Sequence, residues 1–174
     1  MAKAKLLKRP VVEAMPDRRI AGLLRRYTLE TRFKIPQQWD DYNASAKTPG
    51  KEPDGWYGVC RDEDAGFCYL CGIEGKPAKG QGEITLPAGR WARFATTAHL
   101  SRMGDVWEEL HRDWMGRPDL PQRDGPLVEF YPPAFNGKTG EGGFEIWVPL
   151  ADEREGGSAP GLTASPGVAG PKKS

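Results

Sequence analysis

Cysteine and histidine are scarce in this chain: 174 residues hold three of the first and two of the second. An odd, low cysteine count fits a reducing compartment and excludes a disulfide scaffold. Cys68 and Cys71 form a C-x-x-C, a spacing used by metal and redox sites. The surrounding FCYLCGIE reads as a strand, however, and residues three apart on a strand point to opposite faces. The two thiols therefore cannot readily share a metal. His99 and His111 have no Ser or Cys partner in a recognisable constellation and are assigned no chemistry. Long apolar runs are also missing. None approaches the roughly 20 residues that span a bilayer, and the basic start lacks the apolar segment of a secretory signal. The reading is a cytoplasmic protein without a membrane partner. Neither sign of charge dominates, with 25 Lys and Arg against 24 Asp and Glu. That near balance argues against a whole-domain nucleic-acid footprint, so no direct DNA binding is expected. Walker, G-x-G-x-x-G, H-E-x-x-H and G-x-S-x-G motifs are all absent, and no cofactor is expected.

Apolar residues make up 38% of the chain, enough for a core. They are concentrated in the middle. Residues 1–16 are basic with little periodicity and read as a flexible tail. Residues 151–174 are rich in Gly, Ala, Ser and Pro and read as disordered, because such a segment cannot offset its ordering entropy by burial. The domain is placed at 17–150. Within it, 18–33 reads as a strand. Ile35, Trp39 and Tyr42 then repeat at helical spacing, with Pro36 suited to a first turn. A basic loop over 45–55 precedes two strands, 55–60 and 66–74. The order then recurs. A strand over 84–98 breaks at Pro87-Ala88-Gly89, and Met103, Val106, Trp107, Leu110 and Trp114 form a helical stripe after Ser101, a plausible N-cap. Strands at 127–132 and 142–150 follow. Strand–helix–strand–strand therefore appears twice. The expectation is an α+β fold: pseudo-duplicated units form one antiparallel sheet, with two helices on one face and a concave open groove on the other.

Alternation assigns the side chains to faces. In the last strand Phe144, Ile146, Val148 and Leu150 belong against the helices, which leaves Glu145 and Trp147 facing the groove. A carboxylate beside an indole is a good seat for a lipophilic cation: the ring face attracts positive charge and the carboxylate supplies the counter-charge. Glu129 alternates with Tyr131, while Val128 and Phe130 face the core. Glu129 is placed either in the same groove or in a surface ion pair. Trp107 and Trp114 fit core packing, and Trp39 sits where a helix edge can wall a pocket. Trp91, Tyr57 and Tyr69 occupy strands that border the groove, and Trp56 points the other way from Tyr57.

Five segments together, IPQQWDDY, YLCGIE, LPAGRWARF, VWEELHRDWM and VEFYPP…FEIWVPL, resemble the GyrI-like small-molecule-binding family, the effector-binding module of some AraC-type and MerR-type regulators. The likeness covers about 18–150. The family's tyrosine after the P-A-G turn is Trp91 here, and 1–17 is too short for a helix-turn-helix, so the chain looks like a stand-alone member. The resemblance implies that Glu145 is the pocket carboxylate, with Trp147, Tyr69, Trp91, Tyr57, Glu129, Tyr131 and Trp39 as further ligand-binding residues. It implies binding of hydrophobic, often cationic or planar aromatic small molecules, for sensing or sequestration. Two alternatives stay open. One is a hydrolase that opens strained cyclopropane rings of DNA-alkylating natural products with Glu145. The other is a protein-interaction domain with a partner such as gyrase.

Overall fold

A computed structural model describes residues 3–45 and 53–152. Most of the expected C-terminal tail and of the basic loop lies outside them. The strands are β1 (Val11–Met15), β2 (Arg18–Tyr27), β3 (Trp56–Glu63), β4 (Gly66–Glu74), β5 (Gly82–Leu86), β6 (Gly89–Thr96), β7 (Leu127–Tyr131) and β8 (Phe144–Leu150). The helices are α1 (Ile35–Ser45) and α2 (Met103–Glu109). All strands join one antiparallel sheet in the order β1-β6-β8-β7-β3-β4-β2-β5, as the α+β reading predicts.

The ends of that order are covalently close. β1 runs into β2 through two residues, and β5 runs into β6 through two. Met15 pairs with Gly89 and, across the corner, Arg18 pairs with Leu86, so β1–β2 and β5–β6 form one ladder in one register, bent once. The bend folds the sheet over on itself. Tight curl is also permitted between β2 and β4, where Gly22 faces Gly72. A Cβ on either would run into the backbone of the opposite strand, so no other residue allows this approach.

Both helices pack on the outer face, and each does so by the periodicity of its apolar side chains. α1 buries Ile35 and Tyr42 against Tyr27, Phe67, Tyr69 and Cys71. α2 buries Met103, Val106 and Trp107 against Phe94, Phe144, Ile146, Val148 and Leu150. The aliphatic side of β8 thus faces the helices, as alternation requires. Cys68 and Cys71 lie in separate clusters on the two faces. The inner, helix-free face is concave, and its middle is filled by its own side chains. Trp91, Trp147, Tyr57, Leu70 and Val128 are all buried there in one cluster.

Some expected boundaries differ. The first strand ends at Tyr27, and Thr28–Lys34 turn through a short 3-10 segment. The N-terminal stretch read as tail is in fact β1 for Val11–Met15. Before it, Leu7 is buried, and the Leu6 and Leu7 amides donate to the buried Glu109 carboxylate at 2.8 and 3.1 Å. The α2 end opens into a wider turn over Leu110–Trp114, which sets Trp114 against Phe94. The cap before α2 is His99 rather than Ser101: a 3-10 turn, Leu100–Arg102, precedes the helix, and His99 Nδ1 accepts from the Ser101 amide.

Candidate functional site

The described residues enclose a cleft of about 390 Å³ on the helix side. Pro36, Trp39, Asp40 and Asn43 of α1 form one wall. Trp56 from β3 and Tyr131 from β7 form the floor, and Leu100, Phe135 and Gly137 form the opposite wall. The lining is aromatic and close-packed. Trp39 meets Tyr131 edge-on at 5.5 Å, and Tyr131 meets Phe135 at 4.8 Å. No Lys or Arg is among the described lining residues.

Behind the floor lies Glu129, which is 2% exposed. It reaches this face because it pairs with Ile146 of β8. Its Oε2 accepts from the Tyr69 phenol at 2.7 Å and from the Tyr131 phenol at 2.9 Å. The Trp39 indole N–H donates to the Tyr69 oxygen at 3.0 Å. That bond fixes the direction of the chain: Tyr69 accepts from Trp39 and gives its own proton to Glu129. Burial raises the Glu129 pKa from 4.5 to about 7, opposed by the Tyr69 and Tyr131 hydrogen bonds and then by the Trp107 indole. That indole N–H lies close enough to act on the carboxylate, but makes no hydrogen bond of normal geometry. Burial likewise raises both phenols well above 10, and the neighbouring carboxylate adds to it. Of the carboxyl and the two phenols, the Glu129 carboxyl is therefore the group that ionises near neutrality, and Asp40 adds a second carboxyl on the cleft wall.

The backbone beneath this chain is specialised. Gly58 faces Glu129 across β3 and β7. A Cβ there would strike the Tyr69 phenol and come within 2.9 Å of Glu129 Oε2. Gln38, fully buried on α1, anchors the wall. Its amide N–H groups donate to the Leu23 and Tyr69 carbonyls at 2.8 and 2.9 Å, and its oxygen accepts from Tyr27 at 2.7 Å.

The structure divides the residues expected in one groove into two sets. Glu129, Tyr131, Tyr69 and Trp39 come together at the helix-side cleft. Glu145, Trp147, Tyr57 and Trp91 lie on the inner face, with the sheet between the two sets. Glu129 and Glu145 thus share no groove, and Glu129 makes no surface ion pair. Glu145 is bound by Arg93 through both oxygens, at 2.9 and 3.1 Å, and accepts the Trp147 indole N–H at 3.2 Å. Arg93 also lies 5.1 Å from the Trp147 ring centre and pairs with Glu13. The seat for a cation exists, and the protein's own arginine occupies it. Trp91 is buried and donates to the Pro87 carbonyl, with Arg123 over its ring at 5.4 Å. Tyr57 packs on Phe130 and Trp147.

Trp56, Asp40, Leu100, Phe135 and Gln38 were not among the expected site residues. The parity that turns Trp56 away from Tyr57 holds; it places Trp56 in the cleft because the cleft is on the helix side. Helical spacing does mark Asp40: Pro36, Trp39, Asp40 and Asn43 follow one another at i, i+3, i+4 and i+7, a single side of α1.

A curled antiparallel sheet with two outer helices and an acid-backed aromatic cleft defines a small-molecule-binding α+β domain. The GyrI-like small molecule binding domain matches residues 9–151, and the chain belongs to that family. A putative bacterial transcription regulation protein from Staphylococcus aureus MU50 is similar in structure, with 19% identity and a TM-score of 0.63 over 82% of this chain and 98% of that one. SAV2435 bound to tetraphenylphosphonium is 17% identical, with a TM-score of 0.63 over 83% and 94% of the two chains. An integron cassette protein from the mobile metagenome of Vibrio cholerae is 13% identical, with a TM-score of 0.62 over 84% and 98%. At these identities the likeness establishes the fold. A search of the curated proteins finds no match. No helix among the described residues is long and apolar enough to cross a membrane.

Proposed function

We propose that this domain binds hydrophobic cationic small molecules, planar aromatic cations included, in the cleft between α1 and the β7–β8 loop, with Glu129 as counter-charge. The observation that carries the reading is the chain from Trp39 through Tyr69 to Glu129, backing an aromatic cleft whose described lining has no basic residue. Each ring face offered to a cation contributes about 0.5–2 kcal/mol. A buried carboxylate, unlike a solvated one, is poorly screened and acts at longer range. The bound tetraphenylphosphonium of a structural neighbour is a lipophilic cation of the proposed class. Such binding serves sensing or sequestration.

Glu145 fits this role less well, since a ligand cation would have to displace Arg93 from both its oxygens. The same occupation leaves Glu145 poorly placed as a hydrolytic base. The test is titration of the full chain with tetraphenylphosphonium, alongside Glu129→Gln and Glu145→Gln. Loss of at least about tenfold in affinity, about 1.4 kcal/mol, is expected for Glu129→Gln only. The opposite pattern, with Glu145→Gln alone weakened, would return the site to the inner face. No binding by any folded form would refute the cation reading.

A further inference from the structure

The outer wall of the cleft belongs to the β7–β8 loop, which contributes Phe135 and Gly137. The loop is internally tied: Asn136 and Glu141 form a bridge, and the Asn136 side chain accepts from the Lys138 and Thr139 amides at 2.9 and 3.2 Å. It is fixed to the rest of the domain at the turn before α2. His99 Nε2 lies 2.6 Å from the Thr139 carbonyl, and the Leu100 amide donates to the Gly140 carbonyl at 2.8 Å. Gly140 presses on the same ring. Its φ is +78°, and a Cβ there would stand 2.9 Å from the imidazole. Leu100, next in sequence, also lines the cleft.

The tautomer of His99 follows from its partners. The Ser101 amide can only donate, so Nδ1 is the acceptor in the 3.1 Å bond between them. Nε2 then carries the proton and donates it to Thr139. One imidazole thus does two separable things: it caps the turn that leads into α2, and it latches the loop that walls the cleft.

We propose that His99 is a positioning residue of the cleft, latching the β7–β8 loop through Thr139 and so slowing escape of a bound ligand. The inference rests on the cleft being the ligand site. The side-chain oxygen of Asn replaces the capping function well, but its shorter side chain does not span to the Thr139 carbonyl. His99→Asn therefore keeps the cap and removes the latch, whereas His99→Ala removes both.

The experiment measures tetraphenylphosphonium release by stopped-flow tryptophan fluorescence, and hydrogen exchange of the Leu100 amide, in wild type and both variants. Release about tenfold faster in both variants is expected, because such changes act mainly through dissociation. Faster exchange at Leu100 should accompany it. Wild-type release and exchange in His99→Asn would overturn the latch and leave only a helix cap. If His99→Ala does not fold, Gly140→Ala loosens the latch from the loop side and should match His99→Asn. If wild type does not bind the probe, the cation reading fails, and exchange at Leu100 alone then decides the latch: faster in His99→Asn supports it, and unchanged overturns it.

Discussion

At the residue scale, Glu129 and Gly58 depend on one another. The Glu129 side chain is held in its place because two phenols donate to it and because β3 carries no side chain above it. Gly58→Ala puts a methyl group into the space of the Tyr69 phenol. Overpacking of this kind costs about 1–3 kcal/mol, and here it also pushes apart the Tyr69–Glu129 bond. The expected outcome is a lower midpoint in urea together with weakened tetraphenylphosphonium binding. A variant that loses stability but binds with unchanged affinity would separate Gly58 from the site. Ionisation of Glu129 gives a second test. Since burial holds its pKa at about 7, a cation bound for its charge should bind more tightly as pH rises from 6 to 8. Glu129→Gln should abolish that dependence, and a pH-independent wild-type affinity would remove Glu129 as the counter-charge.

At the scale of elements, α1 is anchored as much by a polar group as by apolar ones. Gln38 bridges the Leu23 and Tyr69 carbonyls and the Tyr27 phenol from a fully buried position. Gln38→Ala leaves the buried Tyr69 carbonyl and Tyr27 phenol and the part-buried Leu23 carbonyl short of a partner, and a buried group left unsatisfied costs about 1–3 kcal/mol. Loss of several kcal/mol in urea unfolding is expected, whereas Gln37→Ala on the exposed side should change stability by less than about 0.5 kcal/mol. The sequence does not mark Gln38, because a polar residue in an amphipathic helix is normally solvent-facing. What it does mark is parity. The alternation of Glu129 with Tyr131, of Trp56 with Tyr57, and of Ile146 with Trp147 all hold in the strands. The groove expected on the helix-free face was a matter of layers, which alternation cannot decide. The sheet curls until that face fills itself with Trp91, Trp147 and Tyr57, and a pairing between sequence-distant strands is what makes it curl. The chemistry assigned to Glu145 and Trp147 was likewise legible, since a carboxylate beside an indole does hold a cation there. That the cation is Arg93 depends on the β6–β8 register, which sets Arg93 opposite Trp147. β1 was hidden for a related reason: five residues, two of them exposed valines, show strand character only once β6 supplies the partner.

At the scale of the whole molecule, the buried carboxylate sets an unusual pH dependence of stability. Partly exposed acids with lowered pKa, among them Asp41 beside Gln37 and Arg25 and Glu63 beside Arg26, favour the native state once ionised and lose that contribution in strong acid. Glu129 has the opposite sign. Its native pKa of about 7 lies above the ordinary 4.5, so between those values the native state keeps a proton that the unfolded chain releases. Stability is then greatest below the unfolded pKa and falls as pH rises to about 7, by about 3 kcal/mol for a gap of this size. Thermal unfolding across pH 4 to 8 should therefore show a maximum on the acid side of neutrality. Glu129→Gln should flatten the neutral limb and unfold at a higher temperature than wild type at pH 8. A lipophilic cation in the cleft reverses the effect, because it favours the ionised carboxylate in the native state. Tetraphenylphosphonium should therefore raise the wild-type midpoint more at pH 8 than at pH 5.5, by mass action on the folded form. Equal shifts at both pH values would show that the ligand sits where Glu129 does not sense its charge.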